Sequence, residues 1–232
     1  MDDLQWQAIA TGYASLNDDM RLRFLHPVIE QIVLDHRSGR QSLLDYGAGP
    51  GCLAARLIGH FSRVVLCDIS AEARDIATQR IGGKAVVLSP EQLSNSQEQF
   101  DVILFVLVLT TIADLDVLAQ LMRSLRGRLT RNGILVVGTT HPCFTFRAIS
   151  HIPYQQVDAP YPVPLGDDLV ITEYHRPLDC VLNVLTDAGL RITAAREVYD
   201  DVRYFLDRGE VPPRFAGILP VFLALVCERT TP

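Results

Sequence analysis

Lysine is almost missing from the 232 residues: Lys84 is the single one, and every other basic side chain is an arginine. The 21 basic residues face 27 acidic ones, for a formal charge of −6. With that balance and no basic stripe, the chain lacks the phosphate-neutralising surface of a general nucleic-acid binder. Cysteine is scattered as well. Cys52, Cys67, Cys143, Cys180 and Cys227 form no CxxC pair, so neither a zinc site nor a disulfide framework is expected, and no metal. No apolar run approaches the ~20 residues that span a bilayer. The opening MDDLQWQAIA is acidic and has no apolar signal core. These absences predict a cytoplasmic protein with neither nucleic acid nor membrane as a partner. Internal repeats and low-complexity linkers are lacking too, and 48% of the residues are hydrophobic. That is enough to pack one sizeable core, so residues 1–232 are expected to form a single domain.

What is present alternates. SLLDYG reads as a buried strand and PGCLAARLIGHF as a helix with Leu53, Leu57 and Phe61 on one face. RVVLCDIS is a second strand, AEARDIATQRI a helix closed by Gly82-Gly83, and KAVVLS a short third strand. FDVILFVLVL, starting at Phe100, is apolar on both faces, as a central parallel strand should be. Asp114 is placed to cap LDVLAQLMRSLRGRL, Asn132-Gly133 turns the chain, and ILVVGTT follows as a fifth strand. Arg123, Arg126, Arg128 and Arg131 read as a solvated helix face. After Thr140 the rhythm fails through residue 176. Pro177 then opens the helix PLDCVLNVLTDAGL, with Gly189 at its C-terminal end, and two strands, RITAAREVY and ILPVFLALVCE, complete the chain. Segments 141–176 and 200–217 have no period and are long enough to serve as lids.

The chemistry concentrates in LLDYGAGPGC, from Leu43 to Cys52. A strand, a glycine turn, a helix and a second strand ending in Asp68 make a nucleotide-binding βαβ unit. Its turn amides and helix N-terminus favour negative groups, and Asp68 is placed to accept from ribose hydroxyls. The dinucleotide fingerprint GxGxxG needs a third glycine where Cys52 stands. Here the third glycine is Gly51, and Asp45 precedes Gly47 by two residues. That spacing suits a cationic, amino-acid-bearing nucleoside better than a pyrophosphate.

LLDYGAGPG resembles motif I of the class I S-adenosylmethionine-dependent methyltransferases, an acid followed by three glycines at alternate positions. VLCDIS resembles the acidic second motif and FDVILFVLVLTTI the fourth-strand motif. NGILVVGTTHPCF and YHRPLDCVLNVLTDAGL resemble the fifth-strand and following-helix segments of small-molecule members, and WQAIATGYASL the N-terminal helix that closes over the cofactor. The resemblance implies a doubly wound, Rossmann-like, mostly parallel seven-stranded α/β sheet with helices on both faces and a last antiparallel strand. Residues 1–37 would form a helical cap, with 141–176 and 200–217 on the substrate side. It also implies S-adenosyl-L-methionine as cofactor and methyl transfer to O or N, and after those C, of a small-molecule acceptor, in the setting of secondary metabolism. A homodimer is the candidate assembly. A binding protein that uses the same cofactor for a non-methylating reaction or for regulation is the alternative.

Carried over to this chain, the resemblance gives Gly47, Ala48, Gly49 and Gly51 a close backbone approach to the methionine and ribose portions. Asp45 either orients the loop or binds near the methionyl ammonium, and Asp68 takes the ribose diol. Ile69 flanks the adenine, and Phe105 and Val106 line the pocket. Where the family often has an acid after the third strand, this chain has Ser89-Pro90-Glu91, so Ser89 and Glu91 are alternatives for the adenine amino group. Tyr13 touches the methionyl carboxylate or simply packs. Several subclasses are excluded: no Asn/Asp-Pro-Pro-aromatic motif follows strand four, a two-lysine tetrad cannot be built on Lys84 alone, and acidic metal ligands are missing at the end of strand four. On the acceptor side, His141 directly after strand five is either the catalytic base or a turn residue before Pro142. Cys143 reads as a structural thiol. Tyr154, Tyr174, His175 and Arg176 are the candidate substrate-binding groups, against a reading in which they cap and pair; His151 and Tyr161 add shape and polarity to the same segment.

Overall fold

The computed structural model describes residues 3–15, 20–36, 39, 41–144, 152–165 and 169–230. Seven strands form one sheet in the order β3-β2-β1-β4-β5-β9-β8. They are β1 (Ser42–Tyr46), β2 (Arg63–Cys67), β3 (Val86–Leu88), β4 (Phe100–Val106), β5 (Leu129–Thr140), β8 (Leu190–Val198) and β9 (Phe222–Arg229). The first five strands run parallel, and β9 inserts antiparallel between β5 and β8. The expected mostly parallel sheet with its reversed last strand is therefore present.

Helices cover both faces. α2 (His26–His36), α3 (Cys52–Leu57) and α4 (Ala71–Ile81) pack Ile29, Leu53, Leu57 and Ala77 against Leu43, Leu66 and Val102 of the sheet. On the other face, α6 (Leu115–Gly127) and α7 (Leu178–Asp187) press Leu118, Met122, Leu125, Val181 and Leu185 onto Leu44, Phe105 and Val137. α6 shows why: its apolar residues recur at three- and four-residue spacing and all three of those named are buried, while Asp114 accepts from the backbone N–H groups of Asp116 and Val117 at its start. A short helix, α5 (Pro90–Ser94), begins in a capping box built by Ser89 and Gln92. α1 (Asp3–Ser15) lies over the carboxyl end of the sheet, and the Thr11 hydroxyl donates to Glu72 of α4.

Four expectations change. The strand expected through Leu109 stops at Val106, because Leu107 turns into the left-handed region at φ 58° and a 3-10 turn, Leu109–Thr111, follows. Asn132-Gly133 lies inside β5, at an irregularity where Phe100 pairs with Leu129 but Val102 with Ile134. Arg126 and Arg128 are clamps more than solvated charges. Arg126 donates to the carbonyl of Gly189, and Arg128 to those of Leu93, Ser96 and Glu98. Finally, segment 141–176 carries an antiparallel hairpin, β6 (Pro160–Pro164) and β7 (Val170–Tyr174). Three prolines at alternate positions of β6 hide it from a strand search, since none can donate and only an edge strand tolerates them. Segment 200–217 likewise contains α8 (Val202–Asp207), whose Tyr204 packs edge-on against Phe24 at 5.4 Å.

Candidate active site

The chain order of the sheet reverses between β1 and β4, and a crevice opens at their carboxyl ends, as open α/β sheets dictate. A cavity of about 150 Å³ lies there. Its floor is the glycine turn and Asp68, its side walls include Ile69, Pro90 and Val106, and Trp6, Ala10 and Tyr13 of α1 form its roof. Gly47 cannot be replaced without distortion: its φ is 77°, and a Cβ would come within 2.2 Å of Val108 Cγ2.

The turn is held by its own amides. Gly47 N–H and Ala48 N–H donate to Cys67 O at 2.7 and 3.1 Å, Gly49 N–H to Asp68 Oδ2 at 2.7 Å, and Gly51 N–H to Ala48 O at 3.0 Å. This corrects the expectation that the turn offers amides to negative groups. A loop whose donors are already engaged is a poor pyrophosphate cradle, and the fit to a phosphate-free nucleoside follows from the same bonds. Asp68 ties the two halves of the site, because its Oδ1 also accepts from Ser70 N–H at 2.9 Å. Burial pushes its carboxyl up, and the backbone N–H groups of Ser70 and Gly49 oppose the shift.

Beside the turn a second, smaller cavity of about 40 Å³ is lined by Asp45, Arg21, His26, Tyr13, Ala48 and Leu107, among others. Asp45 is 3% exposed, and its Oδ2 is buried with no hydrogen-bond partner. Burial, with the neighbouring Asp68 charge adding to it, pushes Asp45 up to about 7. His26 Nδ1 is likewise buried and unpartnered, and burial, with the Arg21 charge second, pushes the imidazole down to about 3. Arg21 lies over the Tyr13 ring at 3.5 Å and donates to Tyr13 O. A buried carboxylate oxygen without a donor is the feature a ligand ammonium would satisfy.

Of the residues expected to hold the cofactor, Tyr13, Gly47, Gly49, Asp68, Ile69, Pro90 and Val106 line the main cavity, and Asp45 and Ala48 line the smaller one. Gly51 lines neither; it closes the turn. Phe105 is corrected: adjacent strand residues face opposite ways, so with Val106 on the cavity its ring backs Tyr46 at 6.1 Å, fully buried. Ser89 is engaged as the N-cap of α5 and Glu91 is exposed, so neither lines the cavity. The sequence reading missed Trp6, Arg21, His26 and Leu107. The first three signal nothing before α1 and α2 fold over the turn. Leu107 has no sequence signal, although its left-handed backbone marks it once seen.

The acceptor-side candidates fall outside both cavities. His141 Nδ1 accepts from Cys143 N–H at 3.1 Å, and its Nε2 faces Glu197 Oε1 at 3.4 Å. Burial lowers its pKa, against Glu197. With Nδ1 occupied by an amide hydrogen, the neutral ring has no lone pair turned to an acceptor. Arg176 is 2% exposed and is committed to the fold: its guanidinium donates to the carbonyls of Leu109, Ile112 and Ala113 and pairs with Asp158 at 2.8 Å. His175 Nε2 bonds to Tyr154 O at 2.7 Å, and the Tyr154 hydroxyl accepts from Leu178 N–H. Tyr174 closes β7, where its carbonyl accepts from Arg176. These four clamp the hairpin to the body, the capping-and-pairing reading. His151 lies outside the described residues. Among the described residues no group of three or more His, Cys, Asp or Glu is arranged to hold a metal, and no helix is long and apolar enough to cross a membrane.

Residues 44–137 match a family described as a methyltransferase domain. No curated protein matches the chain. Solved structures do. The CcbJ methyltransferase from Streptomyces caelestis superposes with a TM-score of 0.69 at 14% identity, covering 100% of both chains. The N-methyltransferase NodS from Bradyrhizobium japonicum, in complex with S-adenosyl-L-homocysteine, gives 0.65 at 16% identity over 97% of this chain and 98% of that one. An S-adenosylmethionine-dependent methyltransferase from Clostridium acetobutylicum gives 0.67 at 15% identity, covering 97% and 99%. Residues 44–137 therefore match a methyltransferase domain, and the chain as a whole shares the fold of S-adenosylmethionine-dependent methyltransferases of known structure.

Proposed function

We propose that the chain moves a methyl group from S-adenosylmethionine to an O or N atom, and after those a C atom, of a small-molecule acceptor, as an enzyme of secondary metabolism. The observation that carries this reading is the pair of adjoining cavities around one glycine turn, one ending in Asp68 and the other in the unpartnered Asp45 oxygen. The enclosure by α1 supports a small acceptor over a polymer.

When bound, the sulfonium supplies the methyl carbon and a neutral thioether as leaving group. The chain's residues do the rest. Asp68 accepts from the ribose hydroxyls while keeping its bonds to Gly49 and Ser70. Ile69 and Pro90 flank the adenine. Asp45 ionises against the methionyl ammonium, whose charge replaces the solvent it lost, and Arg21 and Tyr13 attend the carboxylate. Val106, Leu107, Val108 and Thr111 shape the side on which the acceptor enters. His141 acts as a turn residue, its Nδ1 holding Cys143 N–H. Orientation then carries most of the catalysis, since correct placement is worth roughly 7–11 kcal/mol against the 10²–10⁴-fold of a general base.

The test is incubation with methyl-labelled cofactor and a metabolite extract, beside calorimetry of S-adenosylmethionine and NAD. Label in a small product, with micromolar cofactor affinity and far weaker NAD binding, is the expected result. Cofactor binding with no labelled product would favour a regulatory or non-methylating role.

A further inference from the structure

Tyr46 stands between Asp45 and Gly47 at the end of β1, is half-buried, and lines the main cavity. Strand alternation sends its side chain away from that of Asp45, to the face of Leu88, Leu93 and Phe105. The phenol feels charge from two directions. Asp68 is on one side; on the other is Arg128, whose guanidinium donates to the carbonyls of Leu93, Ser96 and Glu98 around α5. That places the phenol between Asp68 and the start of α5, along the stretch of cavity that Pro90 closes. Among the described residues no hydrogen bond engages its hydroxyl. Burial pushes the phenol up to about 12, with Cys67 and Asp68 adding to the shift, so the hydroxyl keeps its proton.

A tyrosine hydroxyl set in an apolar wall loses water and needs a partner in its place. Packing against Phe105 and the leucines explains the ring and not the oxygen, since a phenylalanine would fill the same space. The other hydroxyls of this wall are engaged. Ser89 caps α5 and accepts from Gln92 N–H, Ser70 caps α4 and accepts from Ala73 N–H, and Thr111 donates to Val108 O. Pro90 has no N–H to offer, and Trp6 in the roof can donate but not accept. A base held between Ile69 and Pro90 presents an amino group, which calls for an acceptor.

Building on the methyltransferase reading, we infer that Tyr46 is the residue that reads the cofactor's base, its hydroxyl oxygen accepting from the 6-amino group of the adenine. The role expected of Ser89 or Glu91 after β3 thus passes to β1, the strand that also carries Asp45. Tyr46 sets specificity and takes no part in the methyl transfer. A ligand without the amino group leaves the hydroxyl as unpartnered as it is in the free protein. Asp68 and Tyr46 act on different parts of one molecule, the ribose and the base.

The experiment is a double-mutant cycle on the full chain, read by calorimetry. The ligands are S-adenosylhomocysteine and its analogue with hydrogen in place of the 6-amino group; the proteins are the wild type and Tyr46→Phe. The wild type is expected to bind the adenine ligand about three- to tenfold more tightly than the analogue. Tyr46→Phe should bind both alike, near the wild type's affinity for the analogue. The melting temperature of the free protein should not fall, because the hydroxyl has no bond to lose. A wild type that does not distinguish the two ligands overturns the proposal, as does a variant that keeps the wild-type preference, whether or not it also melts lower. If S-adenosylhomocysteine does not bind the wild type at all, the methyltransferase reading fails before the base is in question.

Discussion

Asp45 and Glu173 are two carboxyl groups in the same predicament at two places in the fold. Each is sealed in the interior, each is raised by burial, and neither has an ion pair among the described residues. They differ in what surrounds them. Asp45 keeps an oxygen with no donor, beside a small cavity. Glu173 has hydroxyls on both oxygens and no cavity of its own. The first is a socket formed before the ligand arrives. The second is a carboxyl that burial pushes toward its neutral form and that neighbouring hydroxyls satisfy. The glycine turn beside Asp45 is prebuilt, whereas the surroundings of Glu173 depend on a hairpin pinned to the body by Arg176.

The largest expected effect lies in the prebuilt half. Gly47→Ala forces a side chain into the left-handed region and against Val108, so it should lower stability by roughly 2–4 kcal/mol and remove measurable cofactor binding. Calorimetry and chemical denaturation check both. A variant that binds normally would show the turn to be plastic and erase the contrast with the hairpin.

Next comes Asp68→Ala, which deletes the acceptor of Gly49 and Ser70 N–H together with that of the ribose. Cofactor affinity should fall by about 1.5–3 kcal/mol, roughly ten- to 150-fold. Unchanged affinity would take Asp68 out of the site.

His141→Ala probes the acceptor half. Loss of the Cys143 N–H acceptor should lower stability by about 1–2 kcal/mol, with the single-turnover rate per folded molecule within a few-fold of wild type. A fall of about 10²–10⁴-fold in a well-folded variant would instead restore the histidine as the base. Melting temperature and single-turnover rate, taken together, separate the two.

A pH dependence sharpens the comparison from the other side. Asp45 is raised from 3.8 to about 7 on folding, so between those values the folded state holds a proton the unfolded state has released. Stability is therefore greatest at and below about pH 4 and declines as pH climbs through about 7. Asp45→Asn removes that slope. Melting temperatures of the free protein across pH 5–8 should fall more in the wild type than in the variant, and parallel curves would show that Asp45 is not sealed as described. Saturating S-adenosylmethionine should flatten the wild-type curve, since the ammonium stabilises the ionised form.

The sequence by itself determined the βαβ core, the order of the seven strands of the main sheet, the glycine turn and the two aspartates around it. These are local: period-2 and period-3.6 patterns, caps such as Asp114, and glycines whose backbone the turn requires all act over a few residues. It argued against a dinucleotide as well, because Cys52 stands where the GxGxxG fingerprint has its third glycine. Tertiary structure alone decided which faces of those elements meet. Phe105 and Val106 are equal candidates on paper, and only the direction of β4 sends one to the core and the other to the cavity. Arg21 and His26 join the site because α2 and the helical turn Arg21–Leu25 before it lie beside the glycine turn. Arg176 and His175 leave it because the hairpin has carbonyls to satisfy. Tyr161 and Glu173, twelve residues apart across a proline-rich strand, become partners only when β6 and β7 pair. Contacts between distant segments depend on register and burial, and no short window of residues encodes either.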